Sequence, residues 1–112
     1  MSEATTVIHA YYAAFNAGTA AGMLELLTDD VRHDINEGDT QVGLDAFRAF
    51  LARMDEHYRE RAEELVVMVS PDGTRAAAEF IIHGEYVKTD DGLPDAHGQT
   101  YALPVGAFFE VR

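Results

Sequence analysis

Ala76-Ala77-Ala78-Glu79-Phe80-Ile81-Ile82-His83-Gly84-Glu85-Tyr86-Val87-Lys88 is the stretch whose periodicity decides the fold. Ala77, Glu79, Ile81, His83 and Glu85 share one face of an extended chain, while Ala76, Ala78, Phe80, Ile82 and Tyr86 share the other. The alternation specifies a long strand with a plainly apolar second face. Upstream, Leu65 to Val69 is a β-branched, apolar run closed by Ser70-Pro71-Asp72-Gly73, residues suited to a tight turn between strands. Downstream, Thr89 to Gly98 carries Asp-Asp-Gly and Leu-Pro segments and reads as a loop, after which Gln99 to Val111 forms a last strand. Its end, Phe108-Phe109-Glu110-Val111-Arg112, is apolar and β-prone with no following strand to pair with. The natural domain is therefore expected to continue past Arg112 by one more strand.

The first half of the chain has helical spacing instead. Ser2 can cap a helix whose apolar positions Ile8, Tyr11, Tyr12 and Phe15 recur on one face, and Asn16-Ala17-Gly18 stops it. Thr19 can cap a second short helix carrying Met23, Leu24, Leu26 and Leu27. Asp29-Asp30 marks a turn, Val31 to Asn36 reads as a short strand, and Glu37-Gly38-Asp39 reverses it into Thr40-Gln41-Val42. Beyond Gly43, the positions Leu44, Phe47, Phe50, Leu51, Met54 and Tyr58 form the stripe of a third helix. Three helices followed by mostly antiparallel strands indicate an α+β fold. Long twisted strands with helices laid across one side are expected to curve into a cone around an apolar pocket.

The chain of 112 residues is read as one domain, 1–112, with 8 basic against 20 acidic residues and a net charge of -12. That surface repels phosphate backbones and anionic lipid, so neither nucleic acid nor membrane is an expected partner. Cysteine is absent, which removes disulfides and thiolate chemistry. Ser2 and Ser70, the only serines, lie outside any nucleophile-elbow context, and no glycine-rich phosphate loop occurs. Met1-Ser2-Glu3-Ala4 lacks a basic region followed by an apolar block, so a cytoplasmic location is the simplest expectation. His33, His57, His97 and the pair His83-Gly84-Glu85 match no ligand motif, so no metal and no cofactor are expected.

On the residues alone, Asp34 is either a strand-end carboxylate capping nearby amides or an acid-base group sheltered by an apolar wall, which would raise its basicity. Tyr11 is either a core aromatic or a hydroxyl donor aimed at a developing oxyanion. Glu79 and His83 lie four residues apart on one strand face. Either that face is solvated and covers Phe80 and Ile82 beneath it, or it lines the pocket and leaves Phe80 and Ile82 on an outer sheet that needs a dimer partner.

The run Tyr11-Tyr12-Ala13-Ala14-Phe15-Asn16-Ala17-Gly18, then Leu26-Leu27-Thr28-Asp29-Asp30-Val31, then His33-Asp34 with Gly43 nine residues after Asp34, resembles the opening half of the SnoaL-like and ketosteroid isomerase families. Asp72-Gly73-Thr74-Arg75-Ala76-Ala77-Ala78-Glu79-Phe80 and Gly98-Gln99-Thr100-Tyr101-Ala102-Leu103-Pro104 resemble the ketosteroid isomerase-related subgroup. The resemblance implies the nuclear transport factor 2-like (NTF2-like, cystatin-like) cone, with three helices on a curved sheet. It also implies that Asp34 shuttles a proton, that Tyr11 donates a hydrogen bond to the enolate oxygen, and that the Glu79 and His83 face turns inward, His83 assisting. Phe15, Tyr101, Val105 and Phe109 would line the wall beside Glu79. The second oxyanion donor of the isomerases, an Asp, falls on Ala107, whose methyl donates nothing. Two expectations follow. One is a cofactor-free acid-base enzyme, isomerase-like or cyclase-like, acting on a small apolar carbonyl compound of steroid-like or polyketide-like kind. The other is a non-catalytic domain that binds a small apolar ligand; a homodimer is expected in either case.

Overall fold

In the computed structural model, which describes residues 3–35 and 38–112, helix α1 (Glu3–Ala17) buries Ala4, Ile8 and Tyr12, four residues apart and so on one stripe. Ser2, the expected cap, lies outside the described residues, as do Asn36 and Glu37 of the expected strand end and reversal. The C-terminus of α1 closes as the sequence suggests. Gly18 adopts φ 73°, its N–H donates to the Phe15 carbonyl at 3.1 Å, and the Thr19 N–H donates to the Ala14 carbonyl at 3.0 Å. This paired bonding satisfies two orphan carbonyls through a left-handed residue that only glycine adopts without strain.

Helix α2 (Ala20–Leu24) is shorter than expected: Leu26 and Leu27 fall beyond it, and the Thr19 hydroxyl makes no capping bond. Strands β1 (Arg32–Asp34) and β2 (Thr40–Val42) form an antiparallel hairpin with His33 opposite Gln41. Helix α3 (Leu44–His57) buries Phe47, and its C-terminus runs straight into β3 (Tyr58–Val69). Tyr58, expected as the last member of the α3 stripe, is instead the first strand residue. The Arg-Glu-Arg-Ala-Glu-Glu run that follows has good helix propensity. Pairing with β4 (Arg75–Tyr86), from Tyr58 opposite Tyr86 onward, overrides it. Strand β5 (Gln99–Glu110) pairs antiparallel with the other side of β4.

The sheet has one irregularity that matters for the site. Between Glu63 and Val66 the register slips, so Glu64 and Leu65 stand against Phe80 alone, and Glu64 takes the left-handed φ 57°. The slip exchanges the two faces of β3. Before it, Tyr58, Glu60 and Ala62 are the more buried residues; after it, Leu65, Val67 and Val69 are. On β4 the buried set is Ala76, Ala78, Phe80, Ile82 and Tyr86, the apolar face read from the sequence. Helix α1 packs on this face, with the Tyr12 ring 4.7 Å from Phe80. The methyl-sized floor of Ala62, Ala76 and Ala78 lets it approach closely. An isolated helix of this length is marginal in water, so this packing, at about 1.5–3 kcal/mol per buried large side chain, is what holds it.

Asn16 locks α1 to the bulged strand. Its side-chain amide donates to the Ala62 carbonyl at 2.9 Å, and its side-chain oxygen accepts the Ala62 N–H at 2.8 Å. Strand β3 is an edge of the sheet, and this clamp occupies backbone groups that the edge would otherwise present unpaired.

The expected cone is corrected. The α+β class and the antiparallel pairing hold, but the sheet is neither curved nor closed as a cone. Among the described residues the strands form two separate sheets, β1-β2 and β3-β4-β5, and no ladder joins them. The reason lies in the hairpin: its strands are three residues each and pair with one another, which leaves little backbone to continue a wall from the larger sheet. The helices instead cover one face of an open three-stranded sheet.

Asn16→Asp keeps the acceptor and removes the donor of the clamp. It is expected to lower the unfolding free energy by about 1–3 kcal/mol, the cost of an unsatisfied buried group. The shift in urea midpoint measures it, and an unchanged midpoint would refute the clamp's role.

Candidate functional site

The residues singled out from the sequence do not converge. Asp34 has its side chain 61% exposed, accepts bonds from the Thr40 hydroxyl at 2.6 Å and Arg32 Nε at 3.1 Å, and is in the lining of neither cavity described below. Those bonds, the Thr40 hydroxyl first, hold its pKa below the usual carboxylate range. Its neighbour His33 faces the other way, with its ring centroid 5.0 Å from Phe47 and 4.7 Å from Phe50, and desolvation lowers its pKa. Tyr11 sits at the edge of the core, its ring 5.1 Å from Tyr12 and 6.0 Å from Phe109, and burial pushes its phenol up to about 12. Val105, Ala107 and Phe109 pack against the same core from β5. Glu79 and His83 lie on the sheet face without helices, where His83 Nε2 stands 3.2 Å from the Glu63 carboxylate. The apolar Phe80 and Ile82 face α1, so the linked question posed by this strand is decided in favour of the solvated polar face.

A different set of side chains surrounds a cavity of about 510 Å3 between the end of α1, α2, α3 and the start of β3. Its sheltered floor is formed by Phe15, Met23, Leu51, Met54, Tyr58 and Glu60; Thr19, Arg48, Asp55 and Arg59 form an exposed rim. Of the wall residues named from sequence, Phe15 is in this lining, and Tyr101 reaches its floor through Glu60. The Tyr101 hydroxyl donates to Glu60 Oε2, a bond that crosses the sheet above Gly84. That path exists because residue 84 has no side chain: a Cβ there would lie 2.2 Å from Tyr101 Cζ. Desolvation, then the Glu60 carboxylate, raises the Tyr101 pKa.

The second floor residue, Tyr58, belongs to a buried polar network. Its hydroxyl donates to Asp90 Oδ2 at 3.0 Å, and its ring stacks on Tyr86 with centroids 5.4 Å apart. Asp90, 6% exposed, accepts from Arg53 Nη2 on both oxygens at 2.9 and 3.0 Å. Its backbone N–H donates to the Tyr86 hydroxyl at 2.8 Å, and that hydroxyl donates to the Pro94 carbonyl at 2.7 Å. His57 Nε2 stands 3.8 Å from Asp90 Oδ1. The Arg53 hydrogen bonds lower the Asp90 pKa, and burial with the Asp90 bond raises the Tyr58 phenol to about 12. The network fixes the α3–β3 junction and the 87–98 loop against one another.

A shallow depression of about 670 Å3 crosses the three strands at the level of Gly84, lined by Arg59, Arg61, His83, Glu85, Thr100 and Ala102 among others, all six exposed. Half-buried Glu60, Gly84 and Tyr101 form its floor, so the Glu60–Tyr101 pair borders this depression as well as the cavity. Among the described residues, no three His, Asp or Glu side chains converge as metal ligands, and no helix is long and apolar enough to cross a membrane.

Sequence reasoning missed Glu60, Tyr58, Arg53, His57 and Asp90. The alternation of Tyr58, Glu60 and Ala62 with Arg59, Arg61 and Glu63 is a period of two that marks the first three. A helical reading through Tyr58 hides it. Asp90 carries no local signal, because its partners lie 32 and 37 residues away.

The lowered Asp90 pKa sets a pH dependence. A folded pKa below the unfolded value means that the stabilisation is fully present above the unfolded pKa of about 3.9 and is lost as pH falls through the folded value. Thermal melts from pH 7 to pH 2 are expected to show a steeper acid loss for the wild type than for Asp90→Asn, which is already less stable at pH 7. Parallel curves would remove Asp90 from the acid response.

The model of the SnoaL-like domain family matches residues 8–112. A candidate polyketide cyclase from Pseudomonas putida KT2440 is 54% identical with a TM-score of 0.96, over 100% of this chain and 84% of that one. A second, from Xanthomonas campestris pv. campestris, is 52% identical with a TM-score of 0.95 over 97% and 81%. A third, from Silicibacter sp. TM1040, is 47% identical with a TM-score of 0.95 over 97% and 80%. Among proteins of curated function, none matches the chain. A family match over nearly the whole length, and three relatives of about half-identical sequence with the same path of helices and strands, lead to one conclusion: the chain belongs to the SnoaL-like domain family.

Proposed function

We propose that the protein is a cofactor-free acid-base enzyme acting on a small apolar carbonyl compound, with Glu60 as the proton carrier. The observation that supports it is a carboxylate on the mostly apolar floor of a cavity, hydrogen-bonded by one tyrosine. In a cyclase-like reaction, Glu60 removes a proton from the carbon next to a carbonyl. The resulting enolate carbon attacks a second carbonyl of the same molecule, so that a C–C bond forms as a C=O π bond breaks. The alkoxide then takes the proton back from Glu60. Returning the proton to a different carbon instead would make the reaction an isomerisation. The candidate cyclases that resemble this chain favour the first course. Tyr101 positions the carboxylate. Asp34, exposed and bonded by Thr40 and Arg32, is the weaker alternative as base.

A second reading, a domain that binds a small apolar ligand without turning it over, is favoured by Ala107. It faces the core opposite Ala78 and supplies no second oxyanion donor. Exchange of the α-protons of 2-tetralone for deuterium, followed by NMR, separates the readings. The wild type is expected to accelerate exchange, Glu60→Gln to slow it by about 100-fold or more, and Asp34→Asn to change it by less than about twofold. Exchange lost in Asp34→Asn and retained in Glu60→Gln would transfer the role to Asp34. Binding without exchange at any pH would establish the second reading.

We also propose a homodimer through the helix-free sheet face. Met68, Ala77 and Phe108 form one row across it, with Val66, Ile81 and Pro104 in the rows beside them; Met68 is 49%, Val66 48% and Phe108 88% exposed. An apolar patch of this kind marks an interaction surface. Sedimentation equilibrium is expected to give a dimer for the wild type and a folded monomer for Phe108→Glu, whose side chain supports nothing within one chain. A monomeric wild type would remove the proposal.

A further inference from the structure

We infer that the cavity selects apolar ring compounds bearing a hydroxyl donor, a phenol or an enol, over compounds without one and over carboxylates. The inference rests on the reading of this cavity as the substrate site. It follows from the direction of every hydrogen bond on the floor. Tyr58 gives its proton to Asp90 Oδ2, so its oxygen has only acceptor capacity left. Glu60 receives the Tyr101 proton on Oε2, and among the described residues no hydrogen bond engages Oε1. The Asn16 amide, at the exposed α1 end of the lining and off this floor, donates one N–H to the Ala62 carbonyl and accepts the Ala62 N–H. The remaining floor, Phe15, Met23, Leu51 and Met54, is apolar.

The charged donors stand outside this floor, on the exposed rim. Arg48 pairs with Asp45 at 2.7 Å, and Arg59 donates to the carbonyls of Asp55 and Tyr58. A ligand carboxylate placed on the floor meets a like charge, and a ketone or ether oxygen meets only other acceptors. A hydroxyl supplies the donor that the floor lacks. Such mismatches discriminate strongly, because a buried group left unpaired costs more than a matched bond contributes. A 1,3-dicarbonyl compound in its enol form meets both requirements, a hydroxyl for Glu60 and an acidic carbon beside it.

Equilibrium binding of 2-naphthol, 2-methoxynaphthalene and 2-naphthoate to the wild type, Glu60→Gln and Leu51→Trp tests this by calorimetry. The wild type is expected to bind 2-naphthol about tenfold or more tightly than 2-methoxynaphthalene, with 2-naphthoate weakest. Glu60→Gln is expected to cut that preference to about threefold or less, because the charged acceptor is lost. Leu51→Trp, which fills the cavity, is expected to weaken all binding. Equal affinity for naphthol and its methyl ether, or a preference for the naphthoate, would overturn the inference while leaving the cavity as the site. No binding of any of the three, or binding and preference unchanged in Leu51→Trp, would overturn both.

Discussion

The structure depends on one tether, the carboxamide of Asn16 closing on the backbone of Ala62 from both sides. It joins the last turn of α1 to the edge strand two residues before β3 changes phase. An asparagine suits the position because it offers a donor and an acceptor from one rigid plane, matching the N–H and C=O of a single extended residue. The tether sets how far α1 reaches along the sheet. It also leaves the end of α1 over the first half of β3, which is where the cavity lies.

The bulge that follows decides which side chains see that cavity. With period two, a strand that shifts by one residue turns its whole set of side chains over. In β3 the inward set is Tyr58, Glu60 and Ala62 before the shift and Leu65, Val67 and Val69 after it. A single strand thereby supplies polar groups to the cavity at one end and apolar groups to the α1 core at the other. Glu64 carries the local cost of that arrangement in a backbone region that residues with a Cβ enter with strain.

Around the cavity, burial and pairing are arranged so that protons are held in place. Asp90 holds the Tyr58 hydroxyl, Arg53 holds Asp90, and Tyr101 crosses the bare backbone of Gly84 to reach Glu60. These groups come from five elements, α3, β3, β4, the 87–98 loop and β5, with Tyr58 and Glu60 both on β3. The chemistry of the floor therefore depends on the register of the whole three-stranded sheet, not on any one segment. The opposite face of that sheet has the reverse character, with polar Glu79 and His83 grading into the exposed apolar rows around Phe108.

Local periodicity was enough to read the α+β class, the stripe of α1, the long alternating β4 strand with its apolar inner face, and the glycine stop at Gly18. Each of these rests on neighbours within one helical turn or one pleat, where sequence distance and spatial distance agree. The strand from Tyr58 to Glu64 was not legible as such, since its composition suits a helix and pairing with a strand further along the chain, from Tyr58 opposite Tyr86 to Glu63 opposite Ile81, overrides it. Whether the sheet closes into a cone is likewise a matter of which strands share a ladder, and here β1-β2 and β3-β4-β5 do not. The orientation of Glu79 and His83 was open for a related reason: a period of two marks a strand's two faces without saying which one a helix covers. Tertiary structure alone brought Glu60 to Tyr101 and Asp90 to Tyr58, because a hydrogen bond needs its partners within about 3 Å, and no local pattern records a meeting between residues 41 or 32 positions apart.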